Sequence, residues 1–112
     1  MFATLAFASL MLMQQTTANL VPYEEAVRCA GLTQAASELE GGESDEGGKL
    51  YDAALYWSLT AIQAATAAGK PGRTADADQT RARIEAVRQL NADAPAARAA
   101  LQRCLHRTPN LD

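Results

Sequence analysis

Apolar residues recur at helical spacing along most of this chain, and the pattern predicts four α-helices. The first two are expected over about residues 23–39 and 50–68. The third is expected over 75–91, after Thr74 as a favourable N-cap, and the fourth over about 93–107. No segment alternates as a half-buried strand would. The sequence therefore predicts an all-α fold, a small antiparallel bundle of about four helices.

Each predicted helix has an apolar face that we expect to be buried. The second helix carries two such faces, so it is expected to contact neighbours on both sides and to be the central element. One of its faces comprises Tyr51, Leu55, Ser58 and Ile62, and the other comprises Leu50, Ala54, Trp57, Ala61 and Ala68. The inner faces of the other helices are expected to be Cys29, Leu32, Ala36 and Leu39 in the first, Ala77, Thr80, Ile84 and Val87 in the third, and Ala97, Leu101 and Cys104 in the fourth.

The segment between the first two helices, residues 41–48, reads GGESDEGG and contains no apolar side chain. Its glycines and carboxylates predict an exposed, mobile loop. A calcium-binding loop would need a carboxylate at its twelfth position, and counting from Glu43 that position is Ala54. The segment is therefore interpreted as a connector, with a weak cation site as the alternative.

The N-terminal segment differs from the rest, because Phe2 to Met13 is almost entirely apolar and no charged side chain precedes Glu24. The run is shorter than the roughly 20 residues of a membrane-spanning helix but matches the hydrophobic region of a secretory signal. No Lys or Arg precedes it, so a buried N-terminal helix is the alternative. We expect residues 1–18 to be a signal peptide and 19–112 a single helical domain, periplasmic or secreted and not inserted in a membrane after cleavage.

Cys29 and Cys104 are the only cysteines, and an even number in an exported domain favours a disulfide. In an antiparallel four-helix bundle the start of the first helix and the end of the last lie at the same end, so the two residues would meet. Without residues 1–18 the domain has no Phe, so its core is small and a covalent link would contribute much. Two free thiols in a cytosolic protein are the alternative.

Charge is unevenly distributed along the chain. Residues 24–52 contain eight acidic and two basic side chains, whereas residues 70–107 contain eight basic and four acidic ones. Attraction between the two halves of one bundle explains this, and a basic surface for an acidic partner is the alternative. The formal net charge of −3 argues against nucleic acid as a partner.

No residue pattern predicts catalysis, a metal site or a cofactor. His106 is the only histidine, and because it lies two residues after Cys104 on a helix the two side chains point apart. Tyr51, Tyr56 and Trp57 form the one aromatic cluster and fan out in three directions. We expect Tyr51 and Trp57 to pack in the core. If the protein binds an apolar ligand or a partner, this cluster is the candidate contact.

The expected function is that of a small exported, non-enzymatic module that binds another protein or itself. Its architecture resembles that of the small disulfide-bonded helical proteins of the periplasm, which include acid-stress chaperones and immunity proteins, although no motif places it in either group. The alternatives are a periplasmic stress chaperone and, less favoured, a small-ligand-binding protein or an enzyme. Abundant Ala, and eight Arg against two Lys, are typical of a GC-rich bacterial genome.

Overall fold

A computed structural model describes residues 21–110, which form four α-helices joined by short turns. The helices are α1 (Tyr23–Glu40), α2 (Asp45–Ala67), α3 (Gly72–Asn91) and α4 (Pro95–His106). No strand occurs between residues 21 and 110, which confirms the predicted all-α class and the number of helices. The antiparallel order of the helices stays a prediction. The expected signal peptide lies outside the described residues.

The central element is α1, which packs against each of the other three helices. The prediction that the second helix would be central is wrong. Nearly all the buried residues of α1 are small, so neighbouring helices approach it from several sides. They are Ala26, Val27, Cys29, Ala30, Gly31, Leu32, Thr33, Ala35 and Ala36. Leu39, expected on this inner face, is exposed near the end of the helix.

The contact between α1 and α3 depends on Gly31. A Cβ atom at this position would lie 2.6 Å from both the carbonyl carbon and the Cβ of Ala82, closer than van der Waals contact allows. Beside it, the buried Gln79 of α3 accepts hydrogen bonds on Oε1 from Ser58 Oγ of α2 at 2.9 Å and from Gln34 Nε2 of α1 at 3.3 Å. Gln79 therefore joins three helices while its own side chain is satisfied.

α2 begins within the segment that was expected to be a loop. Ser44 is its N-cap, and its Oγ accepts a hydrogen bond from the backbone N–H of Gly47 at 2.9 Å. Asp45 and Glu46 occupy the first turn, where negative charge is favourable. A Cβ at Gly47 would lie 1.8 Å from the carbonyl oxygen of Gly41, so the turn closes only around glycine. The connection between α1 and α2 is therefore limited to residues 41–44.

The inner face predicted for α3 is wrong. Ala77, Thr80 and Ile84 are exposed and Val87 is half-buried, whereas Ala75, Gln79 and Ala86 are buried. The reason is the close approach at Gly31, which only the face carrying small side chains can make. The helix also begins at Gly72, two residues before the expected cap Thr74, with Pro71 as its N-cap. In α4, burial of Ala97 and Cys104 and partial burial of Leu101 confirm the prediction.

Cys29 of α1 and Cys104 of α4 form a disulfide, with a Cα–Cα distance of 5.5 Å that is usual for this bond. The pairing predicted from the sequence is thus confirmed. Both cysteines belong to the same buried cluster as Trp57 of α2. Trp57 Nε1 donates a hydrogen bond to Thr108 Oγ1 at 2.8 Å, and Thr108 Oγ1 donates to the carbonyl oxygen of Cys104 at 2.8 Å. The disulfide and Trp57 therefore bring α1, α2 and the segment after α4 together.

Candidate interaction surface

The three aromatic residues of the sequence-predicted contact cluster do not share one surface. Trp57 is 1% exposed and lies in the core, as expected. Tyr56 is half-buried and packs edge-on against Trp57, with ring centroids 5.1 Å apart. Tyr51 is 56% exposed, so the expectation that it packs in the core is wrong. Of the three, Tyr51 presents the most surface to a partner.

Tyr51 is the first of four large apolar side chains that lie exposed on one side of α2. We call this set the α2 stripe, and it comprises Tyr51, Leu55, Leu59 and Ile62, which are 56%, 48%, 60% and 44% exposed. The spacing of four, four and three residues places them within about a quarter of the helix circumference. They extend over about 17 Å of helix. Such a row of exposed aliphatic and aromatic side chains is typical of a surface that another molecule covers.

Sequence reasoning found three members of this stripe but assigned them to a buried face. Leu59 was missed, although it lies four residues after Leu55 and the helical spacing alone could have shown it. The stripe stays exposed because α2 contacts α1 through its other apolar face. Of the residues predicted for that face, Leu50, Ala54, Trp57 and Ala61 are buried. The prediction is wrong for Ala68, which is exposed because it lies just after the last residue of α2.

A shallow groove of about 290 Å³ borders the N-terminal half of the stripe, between α1, α2 and α3. Tyr51 and Leu55 form its wall on α2, and Gln34 lines it from α1. Across the groove, Glu38 of α1 and Arg83 of α3 form an ion pair at 3.1 Å. An apolar strip with a polar, hydrogen-bonding rim is the usual composition of a protein–protein contact.

A second, open groove of about 400 Å³ lies where the first part of α2 faces residues 105–110. Its α2 wall carries the charged side chains of Glu46, Lys49 and Asp52 beside Leu50. Small-molecule sites are mostly enclosed and apolar. This groove is open and its α2 wall is charged, so it fits a small-molecule site poorly.

The single histidine, His106, and the half-buried Tyr23 are two titratable groups with defined positions in the fold. His106 is exposed at the last residue of α4, near the negative end of the helix. Burial, together with the hydrogen bond that Tyr23 Oη donates to Asp78 at 2.7 Å, raises the pKa of Tyr23 to about 12. The phenol therefore stays protonated at neutral pH and serves as a donor between α1 and α3. Within residues 21–110 no three His, Cys, Asp or Glu side chains lie close enough to hold a metal ion.

Fold and surface together define a small disulfide-linked helical domain with an apolar face on one helix. Among the described helices, none combines the length and hydropathy needed to cross a membrane. No protein-family model, curated protein or solved structure matches the chain.

Proposed function

We propose that this chain is an exported, non-enzymatic interaction module, periplasmic or secreted, that binds another protein or a second copy of itself through the α2 stripe. The observation that carries the proposal is the exposure of four large apolar side chains in a row on a helix whose opposite face is buried. A monomer gains nothing by exposing such a row, since full burial of a large apolar side chain is worth about 1.5–3 kcal/mol and each of these four is only about half buried.

The disulfide supports the proposed periplasmic or secreted location. Bonds of this kind persist in oxidising surroundings and are rare where cellular thiols are kept reduced. Cys29 and Cys104 are both buried, so their bond is a structural link and not an exposed redox pair. The apolar run before Glu24 supports the same compartment from the sequence.

The way in which α2 is held in the fold supports a role of the stripe in recognising a partner protein. α2 is fixed through Trp57 and through the hydrogen bond from Ser58 to Gln79, so the stripe is held on a rigid helix before any partner arrives. Preorganised side chains lose little conformational freedom on binding. Tyr51 adds an aromatic side chain of the type that contributes most at protein interfaces.

Photo-crosslinking in the native host tests the proposal. A photoreactive side chain replaces Leu59 on the stripe, and the matched control replaces Gln102, which is exposed on α4. We expect crosslinked species of defined mass from position 59 and much weaker ones from position 102. Equal yields at both positions, or none at either, would contradict an interaction through the stripe.

The mass of the protein taken from its own host tests export separately. We expect the chain to lack residues 1–18 and to gain about two mass units on reduction, as one disulfide requires. A full-length, already reduced chain in the cytosolic fraction would contradict the proposed compartment, whatever the crosslinking result.

A stress-conditional chaperone is the second candidate, because carboxylates hold several of the contacts between helices. Glu25 of α1 pairs with Arg107, and Glu38 of α1 pairs with Arg83 of α3. If acid loosens these contacts, the bundle would expose further apolar surface. Acid should then shift the fluorescence of Trp57 and allow the protein to suppress aggregation of a client. Absence of both effects would remove this candidate.

A further inference from the structure

We propose that the occupant of the α2 stripe is a second copy of the same chain, with the two α2 helices packed antiparallel about a twofold axis. This inference rests on the proposed function and names its partner. Three features of the described residues carry it: the order of side chains along the stripe, the distribution of charge at the two ends of α2, and the groove beside the stripe.

The stripe is complementary to itself when one copy is turned around. A twofold axis between Leu55 and Leu59 places Leu55 of each copy against Leu59 of the other. In the same register Tyr51 of each copy lies within one residue of the level of Ile62 of the other, an offset of about 1.5 Å. Every large apolar side chain of the stripe then has an apolar neighbour. A twofold contact requires this property, because the same surface is used on both sides.

The segments at the two ends of α2 carry opposite charges, which favours the antiparallel arrangement. The acidic end, residues 43–46, covers the approach to α2 and its first residues and contains three exposed carboxylates. The basic end, residues 70–73, covers the turn after α2 and the start of α3 and contains exposed Lys70 and Arg73. Lys49 and Asp52, between the acidic end and the middle of the stripe, cancel in charge. In the proposed register the acidic end of each copy lies beside the basic end of the other. A parallel pair would instead place like charges together, which is unfavourable.

The basic end is held in position by α1. Lys70 Nζ lies 4.9 Å from the centre of the Tyr23 ring, a distance at which a cation is attracted by the aromatic face. Lys70 is therefore kept at the C-terminal end of α2 and not left to range over the surface. At the other end Ser44 caps the helix and fixes the carboxylates of Asp45 and Glu46 in the first turn.

The groove beside Tyr51 and Leu55 gives the second copy room to approach. Because Ile62 of the other chain lies within one residue of the level of Tyr51, its side chain and that of Gln63 would enter this groove. The polar groups of Gln34 and Ser37 lie there to meet Gln63. Four exposed side chains and a shallow groove make an interface smaller than the roughly 800 Å² per partner of stable complexes. The dimer is therefore concentration-dependent.

Sedimentation of the oxidised chain over a wide concentration range tests the proposal. We expect a reversible monomer–dimer equilibrium that Leu59→Asp shifts toward monomer by at least tenfold in the dissociation constant. Ile84→Asp is the matched control, because Ile84 is 51% exposed on α3 and lies outside the stripe. Far-ultraviolet circular dichroism and Trp57 emission check that each variant is folded, and Leu59→Gln replaces Leu59→Asp if that variant is not.

Charge reversal tests the antiparallel register. Asp45→Lys and Lys70→Glu should each weaken the dimer, and the double variant should recover most of the loss, since opposite charges then meet again between copies. Asp45 is the exposed first-turn carboxylate on the side of α2 nearer the stripe. A monomer at every concentration, or a dimer that Leu59→Asp leaves unchanged, would overturn the proposal. If position 59 then crosslinks a different protein in the host, the interaction module stands and only the second copy as its occupant is wrong.

Discussion

Gly31 determines how closely α1 and α3 can approach each other. Its hydrogen faces the backbone and Cβ of Ala82, so α1 and α3 are in contact there without intervening side chains. Gly48, in the first turns of α2, has no atom within 4 Å of the position that a Cβ would take, and it is exposed. The two glycines therefore have opposite roles in stability.

Gly31→Ala should destabilise the protein by about 1–3 kcal/mol, because the added methyl group forces α1 and α3 apart. Gly48→Ala is the matched control and should stabilise it by about 0.5–1 kcal/mol, since alanine loses less conformational freedom in a helix. Urea unfolding followed by Trp57 fluorescence measures both. A Gly31→Ala protein as stable as the native chain would show that the contact with Ala82 is not tight in solution.

At the scale of single residues, the sequence predicts which residues form a disulfide or lie in the core better than it predicts which neighbours a residue contacts. The pairing of Cys29 with Cys104 and the burial of Trp57 follow from residue type and spacing, and both are found. The role of Gly31 could not be predicted, because a glycine inside a helical pattern looks unfavourable until its neighbour is known. The same holds for Gln79, which has the character of a surface residue yet is buried with its hydrogen bonds satisfied.

At the scale of helices, side-chain size and side-chain hydrophobicity indicate different helices as the central one. α2 has the larger apolar side chains and was expected to be central, whereas α1, whose buried side chains are nearly all small, has that position. Hydrophobic periodicity counts how apolar a face is, but not how closely two faces can approach. For the same reason Ile84 was assigned to the inner face of α3 and is exposed, while Ala75 and Ala86 are buried. The α2 stripe is exposed for this reason: the core is formed by faces with small side chains, and the larger apolar side chains on one side of α2 stay at the surface.

The link between α1 and α3 through Tyr23 and Asp78 gives a pH-dependent contribution to stability. The pKa of Tyr23 is about 12 in the folded protein, above its ordinary value of 10.0, so folding favours the neutral phenol. This contribution is fully present below pH 10 and is lost as the pH rises through 12. The free energy of unfolding should therefore fall in this range.

Tyr23→Phe should reduce that alkaline loss, because it removes the group that must stay protonated. At pH 7 to 9 the variant should be less stable than the native chain, since Asp78 Oδ2 loses the hydrogen bond from Tyr23. The two proteins differ only in the hydroxyl group at position 23, so the difference between their slopes isolates Tyr23. Denaturant unfolding at intervals from pH 8 to 12 measures it. Parallel curves would show that Tyr23 does not titrate differently in the folded state.

At the scale of the whole molecule, the disulfide compensates for a core made of small side chains. Apart from Trp57 and a few aliphatic residues, the buried set is mostly alanine, which contributes little apolar area per residue. The bond joins residues 75 positions apart, and closing a loop of that length contributes about 4 kcal/mol in the chain-entropy model. This is a large share of the 5–15 kcal/mol that is roughly typical of a whole domain.

Replacing both cysteines measures how much the disulfide contributes to the free energy of unfolding, without leaving a free thiol. Cys29→Ala with Cys104→Ala should cost about 2–5 kcal/mol relative to the oxidised protein. The corresponding pair of serine substitutions should cost more, because two hydroxyl groups would be buried beside Ala100 and Arg103. Urea unfolding of all three proteins compares them. An alanine pair as stable as the oxidised protein would contradict the importance assigned to the link.

The same disulfide has a mechanical consequence. A pulling force applied at a point before Cys29 and at another after Cys104 passes from α1 directly into α4 through the sulfur atoms. The turns at 41–44 and 68–71, all of α2 and all of α3 lie inside the closed loop and carry none of that tension. Tension applied in this way stretches only the parts of the chain that lie outside residues 29–104, and the α2 stripe keeps its shape while the protein is pulled.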